Sequence, residues 1–198
     1  MVSPKIAVFI DAGNLWSSYK ELGKLIDFTK LSAFISEKFG APVFRIFYYV
    51  AYPKEGTRPK EDIDKLHKFL TFLRKGLGFK VVKKELKTIY LRDSAGELVL
   101  DQSGKPESRE KGNFDVEITI NVLKHMIAFD TAVFFTGDSD FLPLISYVRN
   151  LPAPKKVYIF STQGCVSSEL KTGADGYFDL LDCPEIHGGN LVHKQKVI

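Results

Sequence analysis

The residues predict an α/β fold in a single domain, built on a mainly parallel central sheet. Three observations carry this. Apolar runs without polar alternation, KIAVFI at 5–10, AVFF at 132–135 and KKVYIFST at 155–162, have the pattern of strands covered on both faces. Two of them stop abruptly at an aspartate and a small turn residue before an amphipathic stretch. Strand-like and helix-like patterns then alternate along 198 residues with no Pro/Gly/Ser linker and no internal repeat.

The first strand ends on Asp11, and Gly13 permits a tight turn. Asn14 serves either as N-cap of the helix through Leu15, Tyr19, Leu22 and Ile26 or as an amide that orients a phosphate or a metal-bound water. A helix over 31–39 leads to a core strand over 43–52, VFRIFYYVAY. The basic loop PKEGTRPK follows, then a helix over 62–75 with Ile63, Leu66, Phe69, Leu70 and Leu73 on one face. Residues 79–82 form the next strand, and 84–100 an extended hairpin that turns at Ser94, Ala95 and Gly96. The polar stretch 101–112 reads as a mobile surface loop. It leads to Asp115 and a helix over 114–129 so apolar that it belongs against the sheet. A helix over 142–149, the strand at 155–162 and the stretches SSEL and ADGYFDLLD complete the domain at residue 184, with 185–198 a peripheral tail.

The stretch AVFFTGDSDF at 132–141 is the centre of the reading: a buried strand delivers Asp138 and Asp140 to its own C-terminal end, where ligands of open α/β sheets gather. Ser139 or Asp140 also suits a simple helix cap, and Asp115 alone suits a helix-dipole charge. Together Asp11, Asp115, Asp138 and Asp140 are oxygen ligands for a hard cation, Mg²⁺ or Mn²⁺, because clustered carboxylates without one repel each other strongly. Such a set serves hydrolysis of phosphodiesters by an activated water.

Net charge is +4, with 44% hydrophobic and 26% charged residues, ordinary for a soluble protein. No apolar run is long enough for a signal peptide or a membrane span, so a cytoplasmic protein without membrane contact is expected. Cys165 and Cys183 lack zinc-site spacing and are expected to be reduced. Seven Lys/Arg stand between Arg74 and Arg92 against one acid, Glu85, a block that with Lys54, Arg58 and Lys60 attracts a polyanion or simply forms a solvated face. Lys83, Lys84 and Lys87 are its candidate substrate contacts.

Asp11-Ala-Gly-Asn14 after a strand, Lys111-Gly and Asp115 before a helix, Thr136-Gly-Asp138-Ser-Asp140-Phe141, and the tail Ser168, Leu170, Ala174-Asp175 and Phe178 resemble the NYN domain, the LabA-like branch of the PIN-like nuclease superfamily. The likeness spans roughly residues 5–181. It implies a Rossmann-like three-layer α/β/α sandwich with the hairpin added, a Mg²⁺- or Mn²⁺-dependent ribonuclease, and single-stranded or structured RNA as partner. Asp11, Asp115 and Asp138 would be metal-site acids with Asp140 a further acid and Asn14 in support. Lys111 and Ser139 would contact phosphate, and Asp175 would hold the final turn.

The chain departs from the family pattern twice. Asp115 follows Lys111 by four residues instead of three, and Asn121 stands where a second helix acid is common, which bears on a second metal site. A non-enzymatic RNA-binding or regulatory module is the alternative. A phosphatase or glycosyltransferase is disfavoured, because Asp11 is followed by Ala12 and Gly13 and no GxxxxGK[ST] loop occurs. The oligomeric state, a homodimer among the alternatives, is not readable from the sequence.

Overall fold

A computed structural model of the chain describes residues 4–191. Its centre is a six-stranded sheet built from β1 (Ile6–Asp11), β3 (Val43–Tyr52), β4 (Lys80–Glu85), β7 (Thr131–Phe135), β8 (Lys156–Ser161) and β9 (Gly176–Asp179). The order is β4-β3-β1-β7-β8-β9, and every pairing is parallel. The chain winds outward from β1 to β4, then returns to start again at β7 on β1's other side. This reversal puts a crevice between the carboxyl ends of β1 and β7.

All six residues of β1 are buried. Ile6, Val8 and Ile10 face one core with α1 (Ala12–Leu22), α2 (Phe28–Phe39) and α3 (Lys60–Thr71). Ala7 and Phe9 face the other with α4 (Asp115–His125), α5 (Leu142–Arg149) and α6 (Ser168–Gly173). Burial on both faces is why the run carries no polar alternation. Phe9 stacks on Phe47 of β3 at 5.1 Å and on Phe134 of β7 at 5.2 Å, so one aromatic row ties the three central strands. The α/β/α sandwich expected from the sequence is therefore the observed architecture.

Local chemistry explains several departures in detail. Ile26 does not extend α1: Gly23, at φ 69°, ends that helix, and residues Lys24–Ile26 form β2. The expected helix over 62–75 begins earlier, at Lys60, and its last turn widens into a π turn at Phe72–Gly76. The expected loop at 101–112 instead carries β6 (Ser108–Lys111), which pairs antiparallel with β5 (Lys87–Tyr90). Between them Val99 donates to the Leu91 carbonyl at 3.0 Å and accepts from the Glu107 amide at 2.8 Å, so the hairpin is a ribbon of three limbs with two turns. Both turns use an aspartate whose Oδ1 accepts backbone amides two and four residues on, Asp93 in one and Asp101 in the other.

Helix α4 buries Ile118 and Val122 but leaves Val116, Ile120 and Leu123 exposed, as is Ile127 in the turn just after it, so only one of its apolar stripes lies on the sheet. The segment beyond Glu185, expected as a peripheral tail, supplies β10 (His187–Asn190), which pairs with β2; residues 192–198 lie outside the described residues. Cys165 and Cys183 are both free thiols. Among the described residues no helix is long and apolar enough to cross a membrane.

Asp175 anchors the sheet's far edge. Its carboxylate accepts from Arg149 Nε at 3.0 Å and from the Val157 amide at 2.8 Å, with Lys156 at 3.4 Å. Burial would raise this carboxyl, but the Val157 amide and Arg149 outweigh it and hold it below the ordinary range. A depressed pKa stabilises the fold above the unfolded value and stops doing so as pH falls through the folded one. Asp175→Asn is therefore expected to lower stability by roughly 1.5–3 kcal/mol at neutral pH, with the deficit vanishing in acid. Urea denaturation at pH 7 and pH 3 measures this, and an equal deficit at both would contradict it.

Candidate metal centre

The site assembles where β1 and β7 end side by side. Their register pairs Ile10 with Phe135, which sets Asp11 level with Thr136. Asp11 Oδ1 accepts the Gly13 amide at 2.9 Å, while Oδ2 accepts Asn14 Nδ2 at 2.7 Å. Asn14 is not the expected cap, since Asp11 caps α1 and Asn14 lies in its first turn; its Oδ1 accepts the Gly137 amide at 3.3 Å, joining the two strand ends through one side chain. On the β7 side, Thr136 Oγ1 accepts the Asp138 amide at 3.3 Å, and Asp138 Oδ1 accepts the Asp140 amide at 3.0 Å. Gly137 has no room for a side chain, since a Cβ there would stand 1.7 Å from the Cys165 carbonyl oxygen. The Ser167 amide meets the Gly137 carbonyl at 3.1 Å, so the turn is clamped from both sides.

Asp115 reaches the same place from α4, held by a hydrogen bond from Asn113 Nδ2. The four-residue spacing from Lys111 is accommodated here: Asn113 gives its amide to Asp115 and its carbonyl to Lys84 Nζ at 3.1 Å. Asp115, Asp138 and Asp140 each bring a carboxylate oxygen within 4.8 Å of the others, and no other acidic, histidine or cysteine group of three or more comes so close among the described residues. Asp11 stays outside that close set because its oxygens are engaged by Gly13 and Asn14. It is near enough to act through charge. Burial raises the Asp11 carboxyl, and the charge of Asp138 adds to this against the Asn14 and Gly13 hydrogen bonds. Asp115 is raised by burial first, then by Asp138, Asp11 and Asp140. A hard divalent cation fits this donor set, since it would neutralise charges that no ion pair offsets among the described residues.

The expected basic contacts divide. Lys87 and Lys111 stand opposite each other in the β5–β6 ladder and line a cavity of about 230 Å³ with Asn113. Lys84 also lines it, but its ammonium is paired with Glu117 at 2.6 Å. Lys83 lies on the other face of the sheet, beside His67 and Arg74. The Arg74–Arg92 block is therefore spread over two faces and is not one patch. Ser139 is exposed between Asp138 and Asp140. Asn121 lies toward the buried Tyr49 hydroxyl.

Sequence reasoning gave no role to Asn113, the donor that orients Asp115, and named Thr136, the acceptor that holds the Asp138 turn, only as part of a motif; each stands two residues before its aspartate. It also passed over Trp16, Tyr19 and Tyr48, which line a cavity of about 680 Å³ beside Asp11.

The profile of the NYN domain family matches residues 5–181. "Low amplitude and bright protein LabA" of Synechococcus elongatus is 24% identical over 178 residues, spanning 90% of this chain and 84% of that protein. The crystal structure of VPA0982, a protein of unknown function from Vibrio parahaemolyticus, superposes with a TM-score of 0.65 at 21% identity, over 94% of this chain and 97% of the other. That likeness bears on the fold alone.

The raised carboxyls have a definite sign. A pKa raised on folding means that the native state holds more protons between the unfolded and folded values, so the metal-free protein loses stability as pH rises through that window. The repulsion grows as pH rises through that window. Asp115→Asn should then raise the metal-free melting temperature while abolishing stabilisation by Mn²⁺. In the unaltered protein, Mn²⁺ at a hundredfold excess over its Kd should raise the midpoint by roughly 5–10 °C, less as pH falls into the carboxylate range. Thermal melts with and without Mn²⁺ decide this; an equal Mn²⁺ shift in the variant would remove Asp115 from the cation site.

Proposed function

Since the chain belongs to the NYN domain family, we propose that it is a metal-dependent ribonuclease that hydrolyses RNA phosphodiester bonds at the Asp115, Asp138 and Asp140 cluster. The convergence of those three carboxylates, within 4.8 Å at the crevice between β1 and β7, is the observation that carries this reading. Mg²⁺ or Mn²⁺, when bound, supplies countercharge to the phosphate and activates water.

The chain's own groups do the rest. Asp115, Asp138 and Asp140 hold the ion, each already oriented by a separate hydrogen bond or turn. Asp11, fixed by Gly13 and Asn14, adds negative charge from the adjacent strand end. Lys87 and Lys111 are like charges in directly opposed positions, an arrangement that a phosphate relieves. Ser139, exposed between two of the acids, is placed for a phosphate oxygen. Phosphate contacts of this kind take single-stranded or structured RNA without reading base sequence. Glu117 is occupied by Lys84, and Asn121 carries no charge, which supports one ion in preference to two. A module that binds RNA without turnover would share the lysines and lack the ion dependence.

Asp138→Asn is expected to lower Mg²⁺- or Mn²⁺-dependent cleavage at least about 100-fold, since even disturbing a ligand's supporting contacts loses 10–100-fold. Its Oδ1 can still accept the Asp140 amide, so the turn and the RNA affinity should persist. Cleavage of a labelled RNA by the purified variant at the unaltered rate would place the chemistry elsewhere. Lys87→Ala and Lys111→Ala should each reduce the slope of log affinity against log salt by about 0.7 for a single strand. Filter binding across a salt series measures this, and an unchanged slope would take both lysines out of the RNA path.

A further inference from the structure

The cavity of about 680 Å³ beside Asp11 is not explained by hydrolysis alone. Voids in protein interiors rarely exceed a water molecule, whereas seats for small organic groups run to about 300–1,000 Å³. Its rims are the two turns that carry the acids: Asp11, Ala12 and Gly13 on one side, Gly112 and Phe114 on the other. It therefore opens onto the place where a phosphate would lie. Its walls are aromatic. Trp16 of α1 is 49% exposed and meets Tyr19 edge to face at 6.2 Å, while Tyr48 of β3 and Phe28 of α2 cross at 5.5 Å deeper in. Tyr19 is 7% exposed and its hydroxyl is shielded from solvent with the Ile26 amide beside it, so it is the Tyr19 ring that adds to the aromatic wall.

We propose that this cavity is a nucleobase seat, taking one base of the RNA between Trp16 and the deeper aromatic wall. Base stacking on an aromatic side chain is tolerant of sequence, because every base has a π-face, and it requires the base to be unpaired. The seat thus selects single-stranded RNA and fixes which phosphodiester reaches the aspartates. The inference rests on the reading of those aspartates as the phosphodiester site, and its test has an arm independent of cleavage.

Trp16 is the only tryptophan in the chain, so its emission reports the cavity directly. With EDTA present, so that no cation binds, the full chain is titrated with adenosine and uridine 5′-monophosphates and with ribose 5-phosphate. A saturable change in emission is expected with the nucleotides and none with the base-free sugar phosphate. In the second arm, a short single strand carrying one abasic nucleotide at successive positions is cleaved with Mn²⁺. One position should lose about tenfold or more in kcat/KM, and Trp16→Ala should erase that positional difference. Leu66→Phe, which narrows the cavity from α3 and keeps Trp16, should weaken the nucleotide-induced change, with the melting temperature confirming that the variant folds. Cleavage that shows no sensitive position, together with emission indifferent to nucleotides, would overturn the base seat and leave the ribonuclease standing. Saturable nucleotide binding in a protein that cleaves no RNA would support the seat and overturn the ribonuclease.

Discussion

Repulsion among four carboxylates brought to one crevice is the constraint on which the rest of the structure turns. Burial first, and the neighbouring like charges after it, disfavour ionisation there, and the raised Asp11 and Asp115 carboxyls express this. The fold answers by giving the acids separate tethers from different elements. Asn14 holds Asp11 and reaches across to the Gly137 amide; Asn113 holds Asp115; the Asp138 carboxylate takes the Asp140 amide. Among the described residues no cationic side chain pairs with the three that converge, although Lys84 is near. That lysine is drawn to Glu117 instead. The result is a concentration of negative charge held open on a rigid frame, which is what a divalent cation needs and a merely structural turn would avoid.

Much of the frame could be read from the residues. The strands ending at Asp11 and Asp138 were visible because burial on both faces leaves unbroken apolar runs, and the aspartates were visible because polar groups at the ends of such runs have few structural reasons to be there. The helix over 142–149 was visible through Pro143 in its first turn. Other features were legible in principle and passed over. Asp93-Ser-Ala-Gly96 and Asp101-Gln-Ser-Gly104 are the same turn signal twice, so the third limb of the ribbon had a signature where only loop was expected. Neighbouring residues of a strand point to opposite faces, so Lys83 and Lys84 could never have served one patch.

What the sequence withheld is what depends on distant pairings. The large cavity takes its walls from α1, β2, α2, β3 and α3, with β6 at its mouth, and no window of sequence contains them together. Asn121 shares α4 with Asp115, yet six residues on it faces Tyr49, a neighbour supplied by β3. The exposed stripe of α4 belongs here too: periodicity reported two apolar faces, and only packing could say which of them meets the sheet.

Placing β1 at the middle of the sheet has a consequence for how the chain is made. Its contact with β3 closes a short loop, but its other edge must wait for β7, whose flanking residues lie 125 positions further along, as the Lys5–Asp130 hydrogen bond shows. While a ribosome is still adding those residues, one of the most apolar strands in the protein presents an unpaired edge. Such edges template association with other chains, and long-range closure is slow. Asp11 is meanwhile solvated and Asp138 not yet made, so the growing polypeptide is at its stickiest during the interval in which it has no assembled acid cluster.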